Sequence, residues 1–167
     1  AGTNVVITGT NLLGVTSVQF NGLAAPDFTV LSNGAIRVTV PLSATTGKIL
    51  VNAPAGFSQL TNNFVVQPTI NGFTPTFGPA GTSVTVFGAN FNVGTPAVSF
   101  NGVSAATPTS VTFGQLTAVV PPGATTGPIS VTTGDGTATN AAKFYLPATL
   151  TSITPIFGSQ TVTIAGT

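Results

Sequence analysis

An all-β chain of tandem β-sandwich units is predicted by three observations: an internal repeat, short strand-like runs within it, and turn residues that punctuate those runs regularly. Over 167 residues, "SVQFNGLAA" at 17–25 recurs as "AVSFNGVSA" at 97–105, so that Phe100 follows Phe20 by 80 positions. At the same spacing "VTVPLSATTGKILV" (38–51) recurs as "AVVPPGATTGPISV" (118–131), and Phe64 in "NNFVV" recurs as Phe144 in "AKFYL". "SITPIFG" repeats "GFTPTFG", with Pro155 matching Pro75. The predicted organisation is a repeat over 1–67 that lacks its first strand, a complete repeat over 68–147, and the first strands of a third over 148–167.

The elements follow in order. "TNVVITG", "TSVQFNG", "IRVTVP", "GKILVNA" and "NNFVVQ" are short, rich in β-branched residues and bounded by Gly, Pro or Asn, the composition of strands. In the second repeat Val84 and Val86 alternate with Thr85 and Phe87, and Val98 and Phe100 flank Ser99. A period of two suits a sheet with one face on a core. "NAPAGFS" and "TTGDGTA" occupy equivalent places, and Gly134-Asp135-Gly136 carries hairpin-turn chemistry. No window has helical periodicity. About seven short strands in each repeat of roughly 80 residues predict an immunoglobulin-like β-sandwich.

Each repeat resembles a TIG/IPT domain, the immunoglobulin-like fold of plexins, some transcription factors and many bacterial surface proteins. The resemblance is carried by "FTPTFGPAGTSVTVFGANF", "VSFNGVSA", "LTAVVPPGATTGPISVTT" and a closing "KFY" strand. It covers nearly the whole chain and is specific for fold. It implies little about activity, because one sandwich hosts unrelated jobs.

The residue inventory then excludes function classes. There is no His and no Cys, and the only carboxylates are Asp27 and Asp135. General acid–base catalysis, nucleophilic triads and His- or thiolate-held metals have no side chains to use. The expectation is therefore no enzyme, no cofactor and no metal. Asp135 reads as a turn residue rather than a calcium ligand. Lys48, Asp27 and nearby Asn residues contain the parts of a Lys–Asn isopeptide crosslink, but the second repeat has Pro128 where Lys48 stands. An exposed Lys is the expected reading. Arg37, Lys48 and Lys143 are the only basic residues, at net charge +1. They cannot form the phosphate-neutralising patch that nucleic-acid binding needs. Gly, Pro, Asn or Thr interrupts each apolar run before the ~18–20 residues of a spanning helix, so no membrane insertion is expected of this segment.

Charged residues are 3% of the chain, against roughly a quarter in ordinary soluble domains. The polar surface must be built from Thr, Ser, Asn, Gln and backbone, with little charge repulsion to keep molecules apart. Only Gln67-Pro68-Thr69 separates the last strand of one repeat from the first of the next, and Pro147 stands at the equivalent later joint. Short, Pro-containing joints predict stiffness. The primary expectation is a structural segment of an extracellular or cell-surface fibre, filament or adhesin stalk, a stiff spacer partnered by copies of itself or adjacent repeats. The alternative is a glycan- or protein-binding accessory module of a secreted enzyme or receptor. Sugar platforms expose Trp or Tyr; here Trp is absent and Tyr145 is the one Tyr. Phe57, Phe87 and Phe113 have no aromatic counterpart in the other repeat, which makes them candidate interface residues; Phe87 should point away from the core. The first repeat lacks a counterpart of "TINGFTPTFGP". Ile153, Pro155 and Phe157 therefore mark a candidate strand-exchange or continuation segment. The expectation is a window of a longer array continuing past Thr167, with strand addition in trans by residues 151–158 as its rival.

Overall fold

The computed structural model describes residues 2–155 and 162–166, with side-chain surroundings through residue 150. Strands appear wherever β-branched runs are bounded by turn residues. The first unit holds β1 (Asn4–Thr8), a three-residue 3-10 turn (Leu12–Gly14), β2 (Ser17–Phe20), β3 (Leu23–Ala24), β4 (Phe28–Ser32), β5 (Ala35–Thr39), β6 (Ile49–Ala53) and β7 (Gly56–Gln59). The second holds β8 (Thr69–Thr74), β9 (Ser83–Ala89), β10 (Ala97–Phe100), β11 (Val103–Ser104), β12 (Gln115–Val119), β13 (Gly127–Thr133) and β14 (Gly136–Phe144). A hairpin of β15 (Leu150–Pro155) and β16 (Val162–Gly166) follows. Phe157 lies outside the described residues.

In the second unit a sheet ordered β12-β9-β8 faces another ordered β11-β10-β13-β14. In the first, β1-β5-β4 faces β3-β2-β6-β7. Alternation turns one face of every sheet inward. The second core gathers Val84, Val86, Val98, Phe100, Leu116, Ile129, Val131 and Phe144, with Phe73 of β8 at its margin. Phe144 packs edge-on against Phe100 at 5.4 Å and tilted against Phe73 at 6.3 Å. The first core gathers Ile7, Val18, Phe20, Val38, Val40, Ile49 and Val66, with Phe64 edge-on to Phe20 at 5.2 Å.

The repeated "FNG" and "ATTG" phrases turn out to be one structural device. Asn21 and Asn101 adopt left-handed backbone, with φ of 48° and 46°. Their side-chain amides donate to Thr45 Oγ1 at 2.9 Å and Thr125 Oγ1 at 2.8 Å. Each Asn lies flat against the glycine that ends its partner phrase: a Cβ on Gly47 or Gly127 would sit 2.3 or 2.2 Å from the Asn Cγ. The hairpin turns also form where expected, Pro54-Ala55 between Ala53 and Gly56, and Gly134-Asp135 between Thr133 and Gly136.

The repeat spacing slips by one residue at the first strand. Asn4 opposes Thr39, whereas Ser83 opposes Val119. Thus Val5, Ile7 and Gly9 correspond to Val84, Val86 and Gly88. The shorter loop containing Leu12–Gly14 absorbs the difference, and the slip keeps Val5 and Ile7 on the core face.

Candidate functional site

Phe144 and Tyr145 are consecutive, so an extended backbone must send them to opposite sides. Phe144 enters the core at 1% exposure and Tyr145 emerges at 55%. The neighbouring chain here is the run from Thr76 to Gly78. Tyr145 N–H donates to the Thr76 carbonyl at 3.0 Å, and Gly78 N–H donates to the Tyr145 carbonyl at 3.0 Å. These bonds make Phe77 the parallel partner of Tyr145. Paired residues on adjacent strands project from the same face, with backbones about 4.8 Å apart. Phe77 is 68% exposed. The result is two aromatic side chains side by side on the surface of the second unit.

The loop beyond Phe77 is held firmly. Thr82 Oγ1 donates to the Pro79 carbonyl at 2.7 Å, and Gly81 N–H, at φ 90°, donates to the Val120 carbonyl at 2.9 Å. A cleft of about 550 Å³ lies past this loop, lined by Pro79, Ala80, Ala124, Thr126, Leu146 and Pro147 among others but by neither Phe77 nor Tyr145. Its walls are apolar and hydroxylic, and Lys143 is the one charged side chain on β14. Such a surface can stack against neutral rings and hydrogen-bond hydroxyls. Among the described residues that line it there is no charged side chain.

The three candidate interface residues, Phe57, Phe87 and Phe113, lie elsewhere. Phe57 is 75% exposed on β7, beside a smaller cleft with Thr10, Leu12 and Val51. Phe87 is 40% exposed on β9, as alternation requires, opposite Gln115 and Gly72. Phe113 is half-buried, and its carbonyl accepts from Phe91 N–H at 3.2 Å. Phe87 and Phe113 thus share one end of the β12-β9-β8 sheet, while Phe57 stands on a sheet of the other unit. Lys48 Nζ donates to the Thr61 carbonyl. Among the described residues no helix is long and apolar enough to cross a membrane.

Sequence reasoning missed Phe77. It recurs as Phe157, and recurring Phe residues read as core. The usable signal was the adjacency of Phe144 and Tyr145, which forces one of them outward.

Residues 68–145 match the family model of the IPT/TIG domain. This unit belongs to that family, and its two facing sheets are the immunoglobulin-like sandwich. Comparison with curated protein sequences returned no match. Among solved structures, the chain is similar to the surface glycan-binding protein PbSGBP-B from Prevotella bryantii (16% identity, 86% of this chain and 36% of that one, TM-score 0.50). It is also similar to SGBP-B from a complex xyloglucan utilization locus in Bacteroides uniformis (24%, 86% and 45%, TM-score 0.44). A third is an auxiliary nutrient binding protein from Bacteroides ovatus (27%, 51% and 23%, TM-score 0.46). The chain spans less than half the length of each.

Proposed function

We propose that this chain is a non-catalytic accessory segment of a cell-surface protein, and that its complete TIG unit contacts neutral glycans. The reading rests on one observation, the exposed pair Phe77 and Tyr145 held side by side by backbone bonds. Aromatic faces stack on the C–H faces of sugar rings while the phenol and nearby Thr hydroxyls serve sugar hydroxyls. The near absence of charge fits a neutral ligand. That the similar Prevotella and Bacteroides structures include surface glycan-binding proteins agrees with this reading. A following repeat need not cover the pair. At the preceding joint Val65, which corresponds to Tyr145, stays 53% exposed although the next unit is attached. Affinity electrophoresis in gels containing xyloglucan or mixed-linkage β-glucan provides the test. Retardation is expected for the unaltered protein, with each of Phe77→Ala and Tyr145→Ala weakening it about tenfold, since a stacking contact contributes roughly 0.5–1.5 kcal/mol beyond area burial. Migration unaffected by either polysaccharide, or retardation that survives both substitutions, defeats the proposal.

A second reading, the stiff spacer, has its own observation. Val66 is buried in the first core and its N–H donates to Thr46 Oγ1 at 2.8 Å. The very next residue, Gln67, is already held by the second unit. Its carbonyl accepts from the buried Asn90 amide at 3.5 Å, and its side chain lies 3.1 Å from where a Cβ on Gly136 would be. No free residue separates the two anchorages. Small-angle scattering should show one extended shape that broadens when Gly-Ser-Gly-Ser is inserted after Gln67. Equal breadth before and after the insertion removes the spacer reading.

A further inference from the structure

Gly134-Asp135 turns β13 into β14 as its residue types require, and a carboxylate at a hairpin turn ordinarily faces water. Asp135 does not follow that pattern. It is half-buried, and its Oδ2 is shut off from solvent with no hydrogen-bond partner among the described residues. The three basic residues are placed elsewhere: Lys143 opposes Pro128 at the far end of β14, Lys48 Nζ donates to the Thr61 carbonyl, and Arg37 lies on β5 of the first unit. A buried carboxylate oxygen with neither a donor nor a cation is costly.

A second orphaned oxygen belongs to the same end of the unit. Asn90, directly after β9, is 1% exposed, and its Oδ1 also has no partner among the described residues. Its left-handed φ of 61° explains why the residue is Asn, but not what the oxygen meets. Nδ2 fixes the amide orientation by donating to the Gln67 carbonyl at 3.5 Å. A carbonyl only accepts, so Oδ1 is turned away from it.

Two links tie these segments together. Gly134 N–H, next to Asp135, donates to the Val93 carbonyl at 3.4 Å, three residues past Asn90. Gln67 reaches both sides: its carbonyl meets the Asn90 amide, and its side chain lies 3.1 Å from where a Cβ on Gly136 would be. The acceptors assembled at this joint are a carboxylate, an amide oxygen and backbone carbonyls, which are the hard oxygen donors that calcium takes. The first unit has Ala55 where Asp135 stands, so the carboxylate is peculiar to the second.

The geometry points to a calcium site at the joint between the two units, with Asp135 Oδ2 and Asn90 Oδ1 as its side-chain ligands. Oxygens drawn from separate loops suit the flexible coordination of calcium better than the strict octahedron of magnesium. Among the described residues no three acidic side chains gather. With a single carboxylate the dissociation constant should be on the order of 10⁻⁴–10⁻³ M, the range of extracellular modules. The site uses neither Phe77 nor Tyr145 and stands apart from the glycan reading.

The test is equilibrium dialysis of the full 167-residue protein against radioactive calcium after treatment with a chelator. One saturable site is expected, and magnesium at equal concentration should compete poorly. Asp135→Asn keeps the side-chain shape and removes the charge; it should weaken binding at least about tenfold, because ligand charge sets affinity at such sites. Asn90→Asp supplies a second carboxylate and should tighten binding about tenfold, a gain that an Asn serving only the backbone would not produce. Absence of saturable calcium binding by the unaltered protein overturns the inference, and means that water serves the two oxygens. Binding undiminished in Asp135→Asn, or not tightened in a folded Asn90→Asp, overturns it as well. Dialysis of the unaltered protein decides without reference to how either variant folds.

Discussion

Phe144 and Phe64 occupy the same repeat position but stand in different surroundings, so truncating each measures what the flanking strand contributes. Phe144 is 1% exposed and meets two rings, Phe100 and Phe73. Phe→Ala at a buried site costs about 3–5 kcal/mol, and two aromatic contacts place Phe144→Ala near the upper end, at about 4 kcal/mol. Phe64 is half-buried and meets only Phe20. With roughly half the burial and one ring contact, Phe64→Ala should cost about 2 kcal/mol. The chain offers a convenient reporter: Tyr145 is the only Tyr and there is no Trp, so intrinsic fluorescence follows the second unit. Urea unfolding monitored by Tyr fluorescence should show Phe144→Ala shifting its midpoint strongly, with Phe64→Ala leaving that signal in place. Far-UV circular dichroism, which reports both units, should reveal the smaller loss in Phe64→Ala. Equal costs at the two positions would refute the reasoning, because they would mean that β8 adds nothing to the burial of Phe144.

The Asn–Gly device predicts an ordering of glycine substitutions in the second unit. Gly127→Ala must displace the pinned Asn101 side chain and should cost about 1–3 kcal/mol, whereas Gly102→Ala, open on all sides at φ 85°, should cost about 1–2 kcal/mol from backbone strain alone; thermal unfolding of the two variants compares them, and a Gly127→Ala protein as stable as the wild type discredits the device. With five charged residues in the chain, unfolding midpoints should change little as sodium chloride rises from about 0.05 to about 1 M beyond the general effect of salt on apolar burial; a steep loss of stability at the low end would show that ion pairs hold the fold. Lys48 Nζ meets the Thr61 carbonyl, so intact mass should equal the sum of the residues, and a deficit of one ammonia would reveal a crosslink instead.

The repeat, the strands and the type of sandwich were legible in the residues because they depend on local physics. Alternation sorts Val84 and Val86 from Phe87, and Asn-Gly and Gly-Asp-Gly tolerate the backbone that turns require. The recurring Phe20 and Phe100, with Phe144, sit in the cores, where a large apolar side chain gains most from burial. Phe77 obeyed the same recurrence and yet stands on the surface. Recurrence alone cannot tell a residue that packs inward from one that flanks a strand on the outside. That distinction comes from the backbone bonds joining Thr76 and Gly78 to Tyr145, which lie 69 and 67 positions apart in the chain.

What the sequence determined by itself is the unit: which segments extend, which turn, and which residues share a core, all set by propensity and a period of two. The tertiary structure decided the relations between segments distant in the chain. It closed "FNG" onto "ATTG", moved the register of β1 by one residue so that Ile7 stays inside, and placed Phe77 beside Tyr145. Each of these is settled by which backbone groups find partners across a sheet, and hydrogen-bond pairing between remote strands leaves no mark in local composition.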